Sequence, residues 1–197
     1  MMTVEVFTNR ALPHKHELAE RLLHDLVGEG GAPDSVVANA RELTHVLVHD
    51  PVTWATGGSD GTRYLVRLTI PGSWSSNKFG EYAVPRISEI IASFEDDPER
   101  LSREPHCVVH VVDLREHNLG TLGRVTTGSD VTRMITDEYR SSGQRDEAPE
   151  GSVIDPVCGM TIELAKAPFT LTHDGRTYGF CASVCRKVFA EDRGITV

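Results

Sequence analysis

Three of the four cysteines lie close to the C-terminal end of the chain, where Asp155-Pro156-Val157-Cys158-Gly159-Met160 precedes Tyr178-Gly179-Phe180-Cys181-Ala182-Ser183-Val184-Cys185. Thiolates are soft ligands that suit copper(I) and zinc(II). Cys181 and Cys185 are four residues apart, so a helix running from about Ala182 places them one turn apart on the same face. Cys181 then sits at the helix mouth, where the N-terminal end of the dipole favours the thiolate. Cys158 belongs to a Pro-Val-Cys-Gly turn that can fold back onto that mouth. Three thiolates match trigonal copper(I), whereas zinc(II) wants a fourth ligand to complete a tetrahedron, for which Asp155, Met160, His173, a water or a residue from the partner domain are candidates. Met160 would add a second kind of soft sulfur. His173 precedes Asp174-Gly175, a hairpin turn, which directs it toward solvent. The thiolate character that binds metal also invites oxidation, so a redox-sensing cluster is a further reading.

The turn, the aromatic pair Tyr178 and Phe180, both helical cysteines and a closing Phe189 resemble, in that order, a YHS domain, a relative of the TRASH metal-binding modules. The resemblance covers residues 153–195 and implies handling of copper(I) or zinc(II), with a metal donor or acceptor protein as partner. TRASH-type modules bring a fourth cysteine near the first; this chain has none there. A piece of this size has little core of its own and needs a metal or a docking surface to stay folded.

The other titratable residues carry weaker signals. His45 and His49 share a strand face, as do His106 and His110, but neither pair has a third ligand at recognisable spacing. His14 and His16 lie at a helix start and read as solvated, and Cys107 reads as a small hydrophobe in a strand.

The segments that position these residues read as two folding units. Ser141 to Ser152 is polar and rich in Gly, Ser and charge, the composition of a linker. It separates a domain over residues 1–140 from a small one over 153–197. Upstream the pattern is strand, helix, strand, twice. Strands are expected at Val4–Phe7, His45–His49, Tyr64–Ile70 and Cys107–Val112, the last apolar enough to be buried on both faces. Helices are expected from Pro13 to near Gly28–Gly31, from about Pro85 to Phe94, and from Ser129 to Tyr139. Asp50 to Gly58 and Glu116 to Gly123 close the two halves alike, each with a bulky apolar residue before a glycine turn. Two duplicated β-α-β units followed by a small hairpin-and-helix module make the fold class α+β.

That duplication is similar to the tautomerase superfamily, the oxalocrotonate tautomerase and macrophage migration inhibitory factor group, over residues 3–128. The resemblance implies a homotrimer. It also implies a catalytic amino-terminal proline, yet the first proline here is Pro13. An alternative reading is therefore an isomerase or hydratase acting on a small unsaturated carboxylate, with Thr3 exposed as a substitute amine and Arg10 and Arg67 holding the carboxylate. In that case the C-terminal module is structural. The missing proline favours an oligomeric scaffold that is not a catalyst.

Composition bounds the partners. The formal charge is −9, from 20 basic and 29 acidic residues. Residues 153–197 are balanced, so the whole excess lies before them. With no basic face and no apolar run of membrane length, neither nucleic acid nor a membrane is expected as a partner. The start of the chain does not read as a targeting segment, which points to the cytoplasm, where cysteines stay reduced.

Overall fold

The computed structural model describes residues 1–28, 31–51, 53–58, 60–75, 77–143 and 147–196, and the backbone alone of residues 77 and 78. Residues 29 and 30, in the expected end of the first helix, and 144–146, in the expected linker, lie outside them. Two compact units make up the chain. One holds residues 1–26, 44–70 and 75–113; the other holds 27–43, 71–74 and 114–197.

The first unit is built on a sheet of β1 (Met2–Thr8), β2 (Thr44–Val48), β3 (Tyr64–Pro71) and β4 (Cys107–Leu114), in the order β2-β1-β3-β4. β1 runs parallel to β2 and antiparallel to β3, with Glu5 opposite both Leu47 and Arg67. Strand alternation is strict in β1: Met2, Val4, Val6 and Thr8 point inward, and Thr3, Glu5 and Phe7 outward. Helices α1 (Lys15–Leu26) and α3 (Asn77–Ala92) supply the facing apolar residues, with Leu18, Leu22, Ile87 and Ile91 almost fully buried. Burying side chains of that size stabilises by about 1.5–3 kcal/mol each. Between these helices in the chain comes α2 (Asp34–Glu42), which belongs to the second unit, and after them the short α4 (Arg100–Arg103).

Three details differ from the sequence reading. The helix expected from Pro85 begins at Asn77 and runs through the proline. Pro85 is exposed, so the hydrogen bond it forfeits lies on the solvent side, where water can replace it. α2 escaped notice because it is short and buries a single valine, Val36. Strand β4 is not buried on both faces: Val108 and Val112 are 45% and 36% exposed. They stand on the face of the sheet turned away from α1 and α3, beside exposed His110.

The second unit contains α2, the hairpin of β5 (Leu119–Thr121) and β6 (Arg124–Thr126), α5 (Gly128–Ser141) and the C-terminal elements. The last comprise the pair β7 (Ser152–Ile154) and β8 (Thr161–Glu163), the hairpin β9 (Phe169–His173) and β10 (Arg176–Phe180), and α6 (Ser183–Glu191). Asp174 and Gly175 both have positive φ at the β9–β10 turn, as a tight two-residue hairpin requires. α5 starts at a capping box in which Thr127 and Asp130 each accept the other's backbone N–H. Its inner face packs on α2 and α6. Arg133 pairs with Glu191 and Asp192, and Arg140 with Asp192. The C-terminal elements thus gain a docking surface that roughly 45 residues could not supply alone.

Candidate metal centre

The turn carrying Cys158 is shaped by the residue that begins it. The Asp155 N–H donates to the Met160 carbonyl at 2.8 Å, and the Gly159 N–H to the Asp155 carbonyl at 2.9 Å. Gly159 has φ +75°, and a Cβ there would lie 2.5 Å from Pro33 and 2.9 Å from Tyr139, so the position admits only glycine. The Asp155 side chain is fully buried and accepts backbone N–H groups from Val157 at 2.9 Å and Cys158 at 3.4 Å through Oδ1. Through Oδ2 it accepts the Cys181 N–H at 2.9 Å. One carboxylate therefore joins the turn to the start of α6.

Helix α6 begins after an extended Ala182, which leaves Cys181 at the mouth and Cys185 one turn along. Behind them Phe180, Phe189, Val184 and Val188 form a buried cluster, with the Phe180 and Phe189 rings edge to face at 5.3 Å. The Arg193 guanidinium lies over the Phe189 ring at 3.6 Å. This packing fixes the helix, and the helix fixes two of the three thiols.

The Cys158 and Cys181 sulfurs are 3.4 Å apart, and those of Cys181 and Cys185 3.7 Å apart. One ligand atom from each of Asp155, Cys158, Cys181 and Cys185 fits within 4.8 Å of all the others. This is the one such group of three or more His, Cys, Asp or Glu residues among the described residues. All four cysteines are free thiols.

The electrostatics make Cys181 the most acidic of the three thiols. The Cys158 and Cys185 thiols donate to the Cys181 sulfur and lower its pKa to about 6, against burial and the Asp155 charge. The same hydrogen bonds and burial hold Cys158 and Cys185 above the ordinary thiol range. Burial pushes the Asp155 carboxyl up to about 7, although the N–H groups of Cys181 and Val157 oppose the shift. Ionising all three thiols requires a cation among them.

The donor set passes a simple fit test. Thiolates about 2.3 Å from one tetrahedral ion stand about 3.8 Å apart. The two sulfur separations given above are within a few tenths of an ångström of that value. The two Asp155 oxygens already accept backbone N–H groups, leaving three sulfurs as the open donors.

Residues 153–193 match the YHS domain family. They are a YHS domain. A stretch of 46 residues is 41% identical to a copper-transporting P-type ATPase of Rhizobium leguminosarum bv. viciae, covering 23% of this chain but only 6% of that protein. The part before the YHS domain has a different likeness. The macrophage migration inhibitory factor of Oncomelania hupensis superposes with a TM-score of 0.50 at 12% identity, over 72% of this chain and 98% of the other. A fused 4-OT asymmetric trimer gives 0.48 at 20% identity, over 62% and 94%. At 12% identity the likeness is one of fold alone: the part before the YHS domain shares its fold with that macrophage migration inhibitory factor, in an α+β chain.

Of the other candidates, Met160 stays within the Cys158 turn through its backbone, and the rest are paired or exposed elsewhere. His173 Nε2 is 3.3 Å from the Asp174 carboxylate at the hairpin tip. Met160 closes the Cys158 turn through its backbone carbonyl. Cys107 lies in β4 beside Ser88, its pKa raised by burial. His106 is buried against Arg100 and Glu104, while His45 and His110 are exposed on the sheet. The His49 ring stacks on Phe7 at 4.3 Å. Thr3 and the exposed Arg10 stand at opposite ends of β1, so the structure does not bring them together. Arg67 is 3.5 Å from Glu5 and 5.7 Å from the Phe7 ring, in a shallow pocket also lined by Trp54 and Leu65.

The backbone-organising role of Asp155 was missed by sequence reasoning, which weighed it only as a fourth ligand. The signal was present: an aspartate two residues before a donor N–H and four before a glycine is the pattern of an Asx-turn.

Proposed function

We propose that this protein binds a soft metal ion through Cys158, Cys181 and Cys185, copper(I) in preference to zinc(II), on a self-associating tautomerase-fold scaffold in the cytoplasm. The observation that carries the reading is the convergence of three thiol sulfurs from two separate segments at 3.4 and 3.7 Å. The preference follows from the donor set, because three sulfurs with Asp155 already engaged by backbone N–H groups suit the softer ion. The likeness to a segment of a copper-transporting ATPase supports the same choice. Met160 and His173 are then bystanders. Four free thiols accord with a reducing compartment, and among the described residues no helix is long and apolar enough to cross a membrane.

The bound ion would hold all three cysteines as thiolates; it is cargo to be buffered or handed to a partner protein. The chain supplies the geometry: Asp155 sets the turn and helix mouth, and the aromatic cluster excludes water behind the sulfurs. The scaffold serves as a platform, since the acidic Glu5 already pairs with Arg67.

Titration of the reduced full chain with copper(I), read by competition with a chromogenic chelator, tests the reading. Each of Cys158→Ser, Cys181→Ser and Cys185→Ser should lose most of the affinity, and Cys107→Ser should keep it. Absence of tight binding in the unmodified chain would leave these cysteines as core residues.

A further inference from the structure

We propose that Cys158 and Cys181 form a reversible disulfide when the metal-free protein meets a hydroperoxide, with Cys185 remaining a thiol. The inference uses the same sulfurs as the metal reading but does not rest on it.

The geometry selects the pair. Cys158 and Cys181 have the closer approach, 3.4 Å against 3.7 Å for Cys181 and Cys185. A disulfide is about 2.05 Å long, so the sulfurs need to close by only about 1.4 Å. Cys158 sits in a turn and Cys181 in the extended residues before α6, whereas Cys185 is fixed within the helix. The bond would link positions 23 residues apart, a loop long enough for cross-linking to stabilise the fold through the denatured state. Cys181 is also the least buried of the three, which makes it the point of attack for an oxidant from solvent.

The steps balance without a further reactant. The Cys181 thiolate attacks one peroxide oxygen; an S–O bond forms, the O–O bond breaks and hydroxide leaves, becoming water on protonation. Cys158 then attacks the sulfenic sulfur of Cys181. The S–S bond forms, the S–O bond breaks, and the departing hydroxide takes up the Cys158 proton as water. Two thiols lose two electrons, and one hydroperoxide is reduced. Two of the three sulfurs are thereby removed from the donor set, so disulfide and bound metal exclude each other.

The experiment treats the reduced, metal-free full chain with one equivalent of hydrogen peroxide, blocks remaining thiols with a maleimide and maps the peptides by mass spectrometry. The expected result is a mass loss of about 2 Da before blocking, a single Cys158–Cys181 linkage reversed by a dithiol, and labelled Cys107 and Cys185. Cys185→Ser should retain the linkage. Cys158→Ser should lose it and, when given two or more further equivalents of peroxide, carry Cys181 past the sulfenic acid to the sulfinic acid, about 32 Da heavier. A Cys181–Cys185 linkage, or sulfinic acid as the product in the unmodified chain, would overturn the proposal whether or not the variants fold. The two readings separate cleanly: the linkage in a chain that binds no copper(I) sinks only the metal reading, and copper(I) binding without the linkage sinks only this one.

Discussion

The Asp155 carboxylate accepts the backbone N–H of Cys181 at 2.9 Å across 26 residues of sequence. The same side chain also holds the turn that presents Cys158. A single buried acid therefore sets the separation of two thiols from different segments. Asp155→Ala should orphan the buried N–H groups of Val157 and Cys181, at a cost of about 1–3 kcal/mol for each. Denaturant unfolding of the full chain should show that loss, and copper(I) affinity should fall with it. Unchanged affinity in a folded Asp155→Ala chain would remove its organising role.

Gly159→Ala is expected to be more damaging than a typical glycine substitution. The residue has φ +75°, and the added methyl would meet the Pro33 ring and Tyr139 at less than 3 Å. Backbone strain of about 1–3 kcal/mol and overpacking of similar size act together. Thermal unfolding and metal titration should both report the defect. Gly143→Ala makes a control: its φ is +68° but nothing lies near its Cβ, so only the strain remains.

The capping box of α5 gives a pH signature. The Thr127 backbone N–H, with its hydroxyl second, lowers the Asp130 pKa from its ordinary 3.8. Because the folded-state value is the lower one, the stabilisation is fully present above pH 3.8. It disappears as pH falls through the depressed folded value. Asp130→Ala should cost about 1 kcal/mol at neutral pH. Melts at pH 6 and pH 3 should show the gap between variant and parent narrowing with acid; a constant gap would count against the box.

The outer face of the sheet leaves Leu47, Val108 and Val112 exposed at 47%, 45% and 36%. Apolar side chains on an open sheet face favour burial against further copies of the chain. Sedimentation at micromolar concentration should give the mass of a trimer, and the pair Val108→Glu with Val112→Glu should shift it to monomer. A monomeric parent chain would remove the scaffold part of the proposed function.

Much of this molecule was legible in its residue order, because the relevant signals are local. The i, i+4 spacing of Cys181 and Cys185 depends only on helical rise. The Asp174-Gly175 turn depends on which residues tolerate positive φ. The duplicated strand pattern of residues 3–128 depends on period-2 burial, and the resemblances to a YHS domain and to the tautomerase fold rested on such patterns. The tertiary structure decided what depends on neighbours distant in the chain. It showed that Val108 and Val112 face outward, since burial of a strand face is set by what covers it and not by its own apolarity. It showed α2 and α5 packed in one unit with α6, because a docking surface is assembled from segments distant in the chain, of which α2 is too short to announce itself. It also placed the Asp155 carboxylate under the Cys181 N–H. No local pattern ties positions 155 and 181; only the folding of the turn against the helix mouth brings that acceptor to that donor, and the three sulfurs together.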